Sequence, residues 1–239
     1  MIERFVDVSR PDGTMTTFVV HPDENGPHPV VLFLMDAPGM REEIRMMCRR
    51  VASAGYYVMS PQLYYRDTDH FNVFETGDRD RMFTLMSNLS NQMATDDAGA
   101  LIELAGDDAA ADATKVGVAG YCMSGPFTIM IAAAFPQVKA AASIHGVALV
   151  TEAEDSPHKH LHRTQAEIYV AAAETDSYAP PEMLDAFEAA ATEASANVRV
   201  EWYPGTEHGF SYAERPVYDR DASERHWERI QSLFRRNLS

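Results

Sequence analysis

The sequence has few of the residues that build extracellular or membrane proteins. Its only two cysteines, Cys48 and Cys122, lie far apart in 239 residues, which excludes a disulfide framework and a cysteine-based zinc site. No apolar run approaches the roughly 18 residues that a membrane helix needs. The N-terminal segment carries charged residues where a signal peptide would have its apolar core. We therefore expect a cytoplasmic protein with no membrane partner.

Positive charge is also scarce. Twenty Lys and Arg residues stand against 36 Asp and Glu residues, which gives a formal net charge of −16. Such a polyanion is repelled by nucleic acids and by anionic membrane surfaces, so neither is an expected partner. Hydrophobic residues make up 46% of the chain, a globular value. Because repeats and linker-like tracts are absent, we expect one domain over residues 1–239. We expect the protein to be a monomer or a small homo-oligomer.

Hydrophobic periodicity predicts an α/β fold. Segments 2–8 and 15–21 alternate apolar and polar residues around Pro11-Asp12-Gly13, which predicts an antiparallel hairpin. Short apolar runs follow, with the spacing of buried parallel strands. These runs cover residues 30–35, 56–60, 116–119, 140–144, 168–172 and 198–203. Amphipathic helical patterns separate them, which predicts a mostly parallel sheet with helices on both faces.

A candidate nucleophile follows the run at 116–119. Gly120-Tyr121-Cys122-Met123-Ser124-Gly125 has the pattern of a nucleophile elbow with cysteine in place of serine. Such a turn requires small residues two positions before and after the nucleophile, and it directs the Met123 N–H and a helix N-terminus at the reacting atom. The alternative is that Cys122 is a small buried residue in an ordinary turn. Cys48 lies on an apolar helical stripe and is predicted to be core.

Two later strand exits supply a candidate acid and base. Asp176 follows the run at 168–172, and His208 follows the run at 198–203, in the chain order nucleophile, acid, histidine. Glu174 is the rival acid, and a helix cap is the alternative role for Asp176. Among the other histidines, His145 follows a strand closely enough to line a pocket, and His226 is predicted to be on the surface.

Together these residues resemble the dienelactone hydrolase family, the cysteine branch of the α/β-hydrolases. The matching segments are 116–125 (VGVAGYCMSG), 60–64 (SPQLY), 174–176 (ETD) and 207–210 (EHGF). The resemblance covers residues 2–236, and the G-Y-C-x-x-G element is its most specific part. It implies an α/β-hydrolase fold and hydrolysis of small esters or lactones by a Cys122–His208–Asp176 triad. No metal or organic cofactor is implied.

The resemblance also suggests further site residues. The Ala37 N–H would be the second oxyanion donor, and Asp36 stands where the family has a glutamate thought to help activate the thiol. The family places a substrate-binding arginine where this chain has Tyr212, with Arg215 three residues further on. A looser match suggests Arg79 or Arg81 as a second substrate-binding arginine, and Tyr121, beside the nucleophile, is a further candidate.

Three functions are compatible with these residues. The leading hypothesis is a hydrolase that forms a thioester on Cys122, with the oxyanion held by the Met123 and Ala37 N–H groups. The second is a non-catalytic protein that binds or senses a small molecule on the same scaffold. The third is acyl transfer to an acceptor other than water.

Overall fold

The computed structural model describes residues 1–239 and divides the chain into two compact units, Met1–Val116 and Gly117–Ser239. The eight strands are β1 (Ile2–Arg10), β2 (Gly13–His21), β3 (His28–Leu34), β4 (Tyr57–Pro61), β5 (Ala111–Tyr121), β6 (Val138–Ile144), β7 (Glu167–Thr175) and β8 (Val198–Glu207). The helices are α1 (Glu42–Ala52), α2 (Val73–Thr76), α3 (Arg79–Ser87), α4 (Asn91–Gly106), α5 (Gly125–Ala134), α6 (Pro181–Glu193) and α7 (Arg220–Leu238). Two 3₁₀ turns cover Cys122–Ser124 and Pro157–Arg163.

The predicted fold class is confirmed. The eight strands form one sheet in the order β1-β2-β4-β3-β5-β6-β7-β8. Strands β1 and β2 pair antiparallel as the predicted hairpin, with Ile2 opposite His21 and Arg10 opposite Gly13. The β3–β4, β6–β7 and β7–β8 pairs are parallel. The expectation of a single domain over 1–239 stays a prediction.

In the first unit, the apolar faces lie where the sequence periodicity placed them. Ile44, Met47, Cys48 and Val51 of α1 are all buried, as the predicted stripe requires. Cys48 has no exposed surface, which confirms that it is a core residue. None of the helices of the chain combines the length and the hydrophobicity that crossing a bilayer requires.

In the second unit, strand β8 is longer than its apolar run. Strand β8 continues through Pro204 and Gly205 to Glu207, which pairs with Thr175 beyond an irregularity in β7. A Pro-Gly pair favours a turn, but here it lies within β8, with Gly205 at a φ of +77°. As a result, the strand ends immediately before His208.

The prediction that His226 lies on the surface is wrong. His226 is completely buried in α7, together with Trp227, Ile230 and Leu233. Its Nε2 atom lies 3.2 Å from the Tyr121 hydroxyl. The buried face of α7 therefore includes a polar residue as well as the apolar ones. A polar side chain can lie inside the core when it has a buried hydrogen-bond partner.

Candidate active site

Cys122 lies at a sharp turn between a strand and a helix. It directly follows β5, begins the 3₁₀ turn Cys122–Ser124 and precedes α5. Its φ angle is +54°, a left-handed conformation that costs a non-glycine residue roughly 1–2 kcal/mol. Backbone strain of this kind concentrates at functional sites. The thiol is half-buried, so it is neither sealed in the core nor fully open.

Glycine is required on both sides of this turn. A Cβ atom on Gly120 would lie 2.4 Å from the Ser124 carbonyl oxygen, and one on Gly125 would lie 2.4 Å from the Gly146 Cα. Either contact is far inside van der Waals distance. The turn therefore has the steric requirement of a nucleophile elbow, which distinguishes it from an ordinary strand–helix connection.

His208 stands beyond the end of β8 and contacts both of its predicted partners. Its Nδ1 lies 2.7 Å from the Asp176 Oδ2, and its side chain also hydrogen-bonds the Cys122 thiol. With Nδ1 directed at the carboxylate, Nε2 is the ring nitrogen left for the thiol. The structure thus brings the predicted nucleophile, base and acid into one hydrogen-bonded chain within the second unit.

The surroundings of His208 favour its protonated form. Burial by itself would lower its pKa, but the hydrogen bonds to Asp176 and to Cys122 outweigh that effect and raise the pKa from 6.5 to about 9. The cause is the same as in other histidine–carboxylate pairs, in which the carboxylate stabilises the imidazolium. This imidazole is therefore well suited to accept and hold a proton from the thiol.

Asp176 divides its carboxylate between two tasks. Its Oδ2 faces His208, while its Oδ1 accepts hydrogen bonds from the backbone N–H groups of Tyr178 and Ala179. The rival acid, Glu174, is exposed and accepts a hydrogen bond from the Gly205 N–H instead. The helix-cap alternative for Asp176 is wrong, because α6 begins after Pro180 without a side-chain cap; the Oδ1 atom instead fixes the loop before that helix.

Met123, the candidate oxyanion donor next to Cys122, is buried in the 3₁₀ turn. The other candidate, Ala37, belongs to the first unit, where its carbonyl accepts a hydrogen bond from the Tyr64 hydroxyl at 2.9 Å. A Cβ atom on Gly39, whose φ is +97°, would lie 2.2 Å from the Phe71 carbonyl oxygen. The loop that carries Ala37 is therefore tightly held within its own unit.

Asp36 has a partner that sequence reasoning missed. Its two oxygens lie 2.6 and 3.3 Å from the Arg41 guanidinium, which also contacts Glu43 at 2.8 Å. All three side chains are buried. No periodicity links these positions, so only the fold of the loop reveals the pairing. The proposed influence of Asp36 on the thiol stays a prediction.

The candidate substrate residues have very different exposures. Arg79 and Arg81 lie on α3 and are exposed. Tyr121 and Tyr212 are both buried, with ring centroids 5.5 Å apart. Their substrate contacts stay predictions.

Arg215 lies close to the loop of the candidate base. It is half-buried, and its guanidinium carbon lies 3.4 Å from the position that a Cβ on Gly209 would occupy.

Two rings beside the base were not predicted to act with it. The His145 ring centroid lies 4.8 Å from that of His208, and the Tyr178 ring centroid lies 5.1 Å from it. His145 is buried, whereas Tyr178 is 53% exposed. The strand exit before His145 marked it as a residue near the site, but Tyr178 had no such signal.

Comparison with known proteins identifies relatives along nearly the whole chain. The profile of the dienelactone hydrolase family matches residues 15–238. A protein of Methylorubrum extorquens described as "Putative carboxymethylenebutenolidase" is 27% identical over 234 residues, which are 96% of this chain and 79% of that protein. An Escherichia coli K12 protein of the same description is also 27% identical, over 98% of this chain and 87% of its own length.

A solved structure has the same architecture. The crystal structure of a "Putative Dienelactone Hydrolase" from Klebsiella pneumoniae superposes with a TM-score of 0.89 at 25% sequence identity. The superposition covers 98% of both chains. The similarity therefore extends over the whole fold.

Proposed function

The chain belongs to the dienelactone hydrolase family, and from that premise we propose that it hydrolyses small carboxylic esters or lactones through a thioester on Cys122. Hydrolysis of esters or lactones is the activity of this family. The observation that carries the proposed mechanism is the hydrogen-bonded chain from Asp176 through His208 to Cys122. It provides an acid, a base and a nucleophile in the order that acyl transfer requires.

In the acylation step, His208 accepts the Cys122 proton and the sulfur attacks the substrate carbonyl carbon. Asp176 stabilises the resulting imidazolium through the 2.7 Å contact and keeps Nε2 directed at the sulfur. The Met123 N–H, next in the chain to the nucleophile, is proposed to stabilise the oxyanion. The alkoxide or enolate then leaves with the proton from His208, and a thioester remains on Cys122.

In the deacylation step, neutral His208 accepts a proton from water, and the hydroxide attacks the thioester. The tetrahedral intermediate collapses by expelling the Cys122 sulfur, which recovers its proton from His208. One water is consumed, one acid is released and the enzyme is restored. This route uses only side chains of the chain and needs no metal or organic cofactor.

The chemistry of sulfur limits the substrate class. A thiolate is a good leaving group and is easily expelled from the first tetrahedral intermediate, which returns that intermediate to substrate. Activated esters and enol lactones, whose own leaving groups are good, should therefore suit this site better than amides. The carboxymethylenebutenolidase description of the relatives agrees with a lactone substrate. Small esters or lactones are therefore the proposed substrates.

Hydrolysis of p-nitrophenyl acetate tests the proposal. The native protein should release p-nitrophenol catalytically, and Cys122→Ala should release none above background. Acid-quenched native protein should carry the mass of one acetyl group on the peptide that contains Cys122. Undiminished turnover by Cys122→Ala would overturn the proposed mechanism. Transfer of the acetyl group to an added alcohol or thiol in preference to water would indicate an acyltransferase instead.

A further inference from the structure

His145 lies directly against the candidate base and is held there from several sides. It follows β6 with a φ angle of +38°, a left-handed conformation that is unfavourable for a non-glycine residue. The ring is buried and crosses the His208 ring at 62°, with centroids 4.8 Å apart. Strain at a buried residue that contacts a site residue points to a functional requirement.

The backbone beside His145 connects the elements that carry the triad. The His145 N–H donates to the Ala171 carbonyl of β7 at 2.8 Å. Two residues later, the Val147 N–H donates to the Cys122 carbonyl at 3.1 Å. This short segment is therefore fixed both to the strand that precedes Asp176 and to the nucleophile itself.

The side chain of His145 makes a third connection, to the loop that carries the base. Its Nε2 lies 2.9 Å from the Ser211 hydroxyl, three residues after His208. The Phe210 ring also packs on it, with centroids 5.8 Å apart. The imidazole therefore contacts both the ring of His208 and the chain that holds that ring.

The surroundings of His145 favour an uncharged ring. Its Nδ1 is buried without a hydrogen-bond partner, so a proton on that nitrogen would be buried and unpaired. Burial, followed by electrostatic repulsion of a charged ring by His208, His226 and Arg215, lowers the pKa of His145 well below 6.5. A neutral ring can pack against an imidazolium without repelling it, which a second cation could not do.

From this geometry we propose that His145 is a positioning residue: its neutral ring packs on His208 and holds the Nε2 of the base directed at Cys122. The inference rests on the proposed triad function. In this role His145 acts through His208 and takes no proton itself. Its effect should appear in the proton-transfer steps, and therefore in kcat more than in KM.

Two variants separate the effect of the His145 ring from the effect of its hydrogen bond to Ser211. His145→Gln keeps a polar group that can reach Ser211 but removes the ring. His145→Phe with Ser211→Ala keeps a neutral ring, makes room for it and removes the hydrogen bond. His145→Gln should lower kcat for p-nitrophenyl acetate by roughly 10- to 100-fold with KM within about threefold of the native value. The double variant His145→Phe with Ser211→Ala should have a kcat within about fivefold of the native value.

A matched control comes from the first unit. His21 is also buried and stacks on Tyr57 with ring centroids 5.0 Å apart, so His21→Gln removes a comparable packed ring. It should lower the melting temperature and leave kcat unchanged. A second readout is the rate at which iodoacetamide alkylates Cys122, which should fall in parallel with kcat in His145→Gln only.

The outcomes separate this inference from the function on which it rests. Loss of activity in Cys122→Ala, together with native kcat in folded His145→Gln, would overturn the positioning role alone. An active Cys122→Ala would overturn the triad mechanism. If His145→Gln does not fold, the double variant His145→Phe with Ser211→Ala provides the test. A kcat reduced 10-fold or more in that folded double variant would show that a neutral ring at this position does not hold the base.

Discussion

At the residue scale, the two cysteines have opposite environments. Burial raises the pKa of Cys48 to about 12, so its thiol stays protonated and inaccessible at neutral pH. Cys122 is half-buried beside an imidazole. We expect iodoacetamide to modify Cys122 alone and to abolish esterase activity in proportion. Peptide mass spectrometry of the native protein measures this, and labelling of Cys48 at a comparable rate would contradict it.

The base can be tested at the same scale. His208→Ala should lower kcat/KM for p-nitrophenyl acetate by roughly 10³-fold or more, as loss of a triad base does in other acyl-transfer enzymes. His158→Ala is a suitable control, because His158 lies on the 3₁₀ turn Pro157–Arg163 and contacts Ser156 before that turn; it should keep native activity. Steady-state kinetics measure both variants. A fully active His208→Ala would transfer the role of base to another histidine.

At the scale of elements, the strand–turn–helix around Cys122 depends on glycine. Gly120→Ala would place a methyl group 2.4 Å from the Ser124 carbonyl oxygen, so the turn must move or the protein must lose stability. We expect at least a 10-fold loss of kcat, because small displacements of a nucleophile have large effects on rate. Turnover of p-nitrophenyl acetate measures it.

Gly106, a glycine of the first unit, provides the control for that prediction. Nothing lies within 4 Å of a Cβ built on Gly106, the last residue of α4. Gly106→Ala should therefore keep native kcat and leave stability equal or higher by up to about 1 kcal/mol, since alanine favours a helix over glycine. If both glycine substitutions affected kcat equally, the steric account of the elbow would be wrong.

At the scale of the whole molecule, the histidines of the site make stability depend on pH. The pKa of His208 is raised from 6.5 to about 9, so its stabilising contribution is complete below pH 6.5 and is lost as the pH rises through 9. The loss amounts to on the order of 3 kcal/mol. The pKa of His145 is lowered, so the free energy of unfolding depends on pH in the opposite direction for this residue. Its stabilising contribution is present above pH 6.5 and is lost as the pH falls below that value.

Urea unfolding across pH 5 to 10 tests this expectation. The native protein should be most stable near pH 6.5, and His208→Ala should show a smaller decline between pH 6.5 and 9. The double variant His145→Phe with Ser211→Ala should lose part of the decline below pH 6.5. An identical alkaline decline in native protein and His208→Ala would contradict the assignment of that titration to His208.

The sequence by itself determined the local features of this protein. Alternation of period two predicts the β1–β2 hairpin, and apolar runs predict the parallel strands, because both patterns depend on which face of an element is buried. The elbow around Cys122 could also be predicted, since its small neighbours at Gly120 and Ser124 reflect a steric limit that acts over five residues.

Only the tertiary structure decided which distant side chains meet. The sequence favours Asp176 and leaves Glu174 as a rival acid, and in the structure Asp176 contacts His208 while Glu174 accepts from the Gly205 N–H. The burial of His226 and the Asp36–Arg41 pair likewise have no sequence signal. The physical reason is that a polar residue is buried only when its partners are in place, and those partners are brought together by the fold and not by their spacing in the chain.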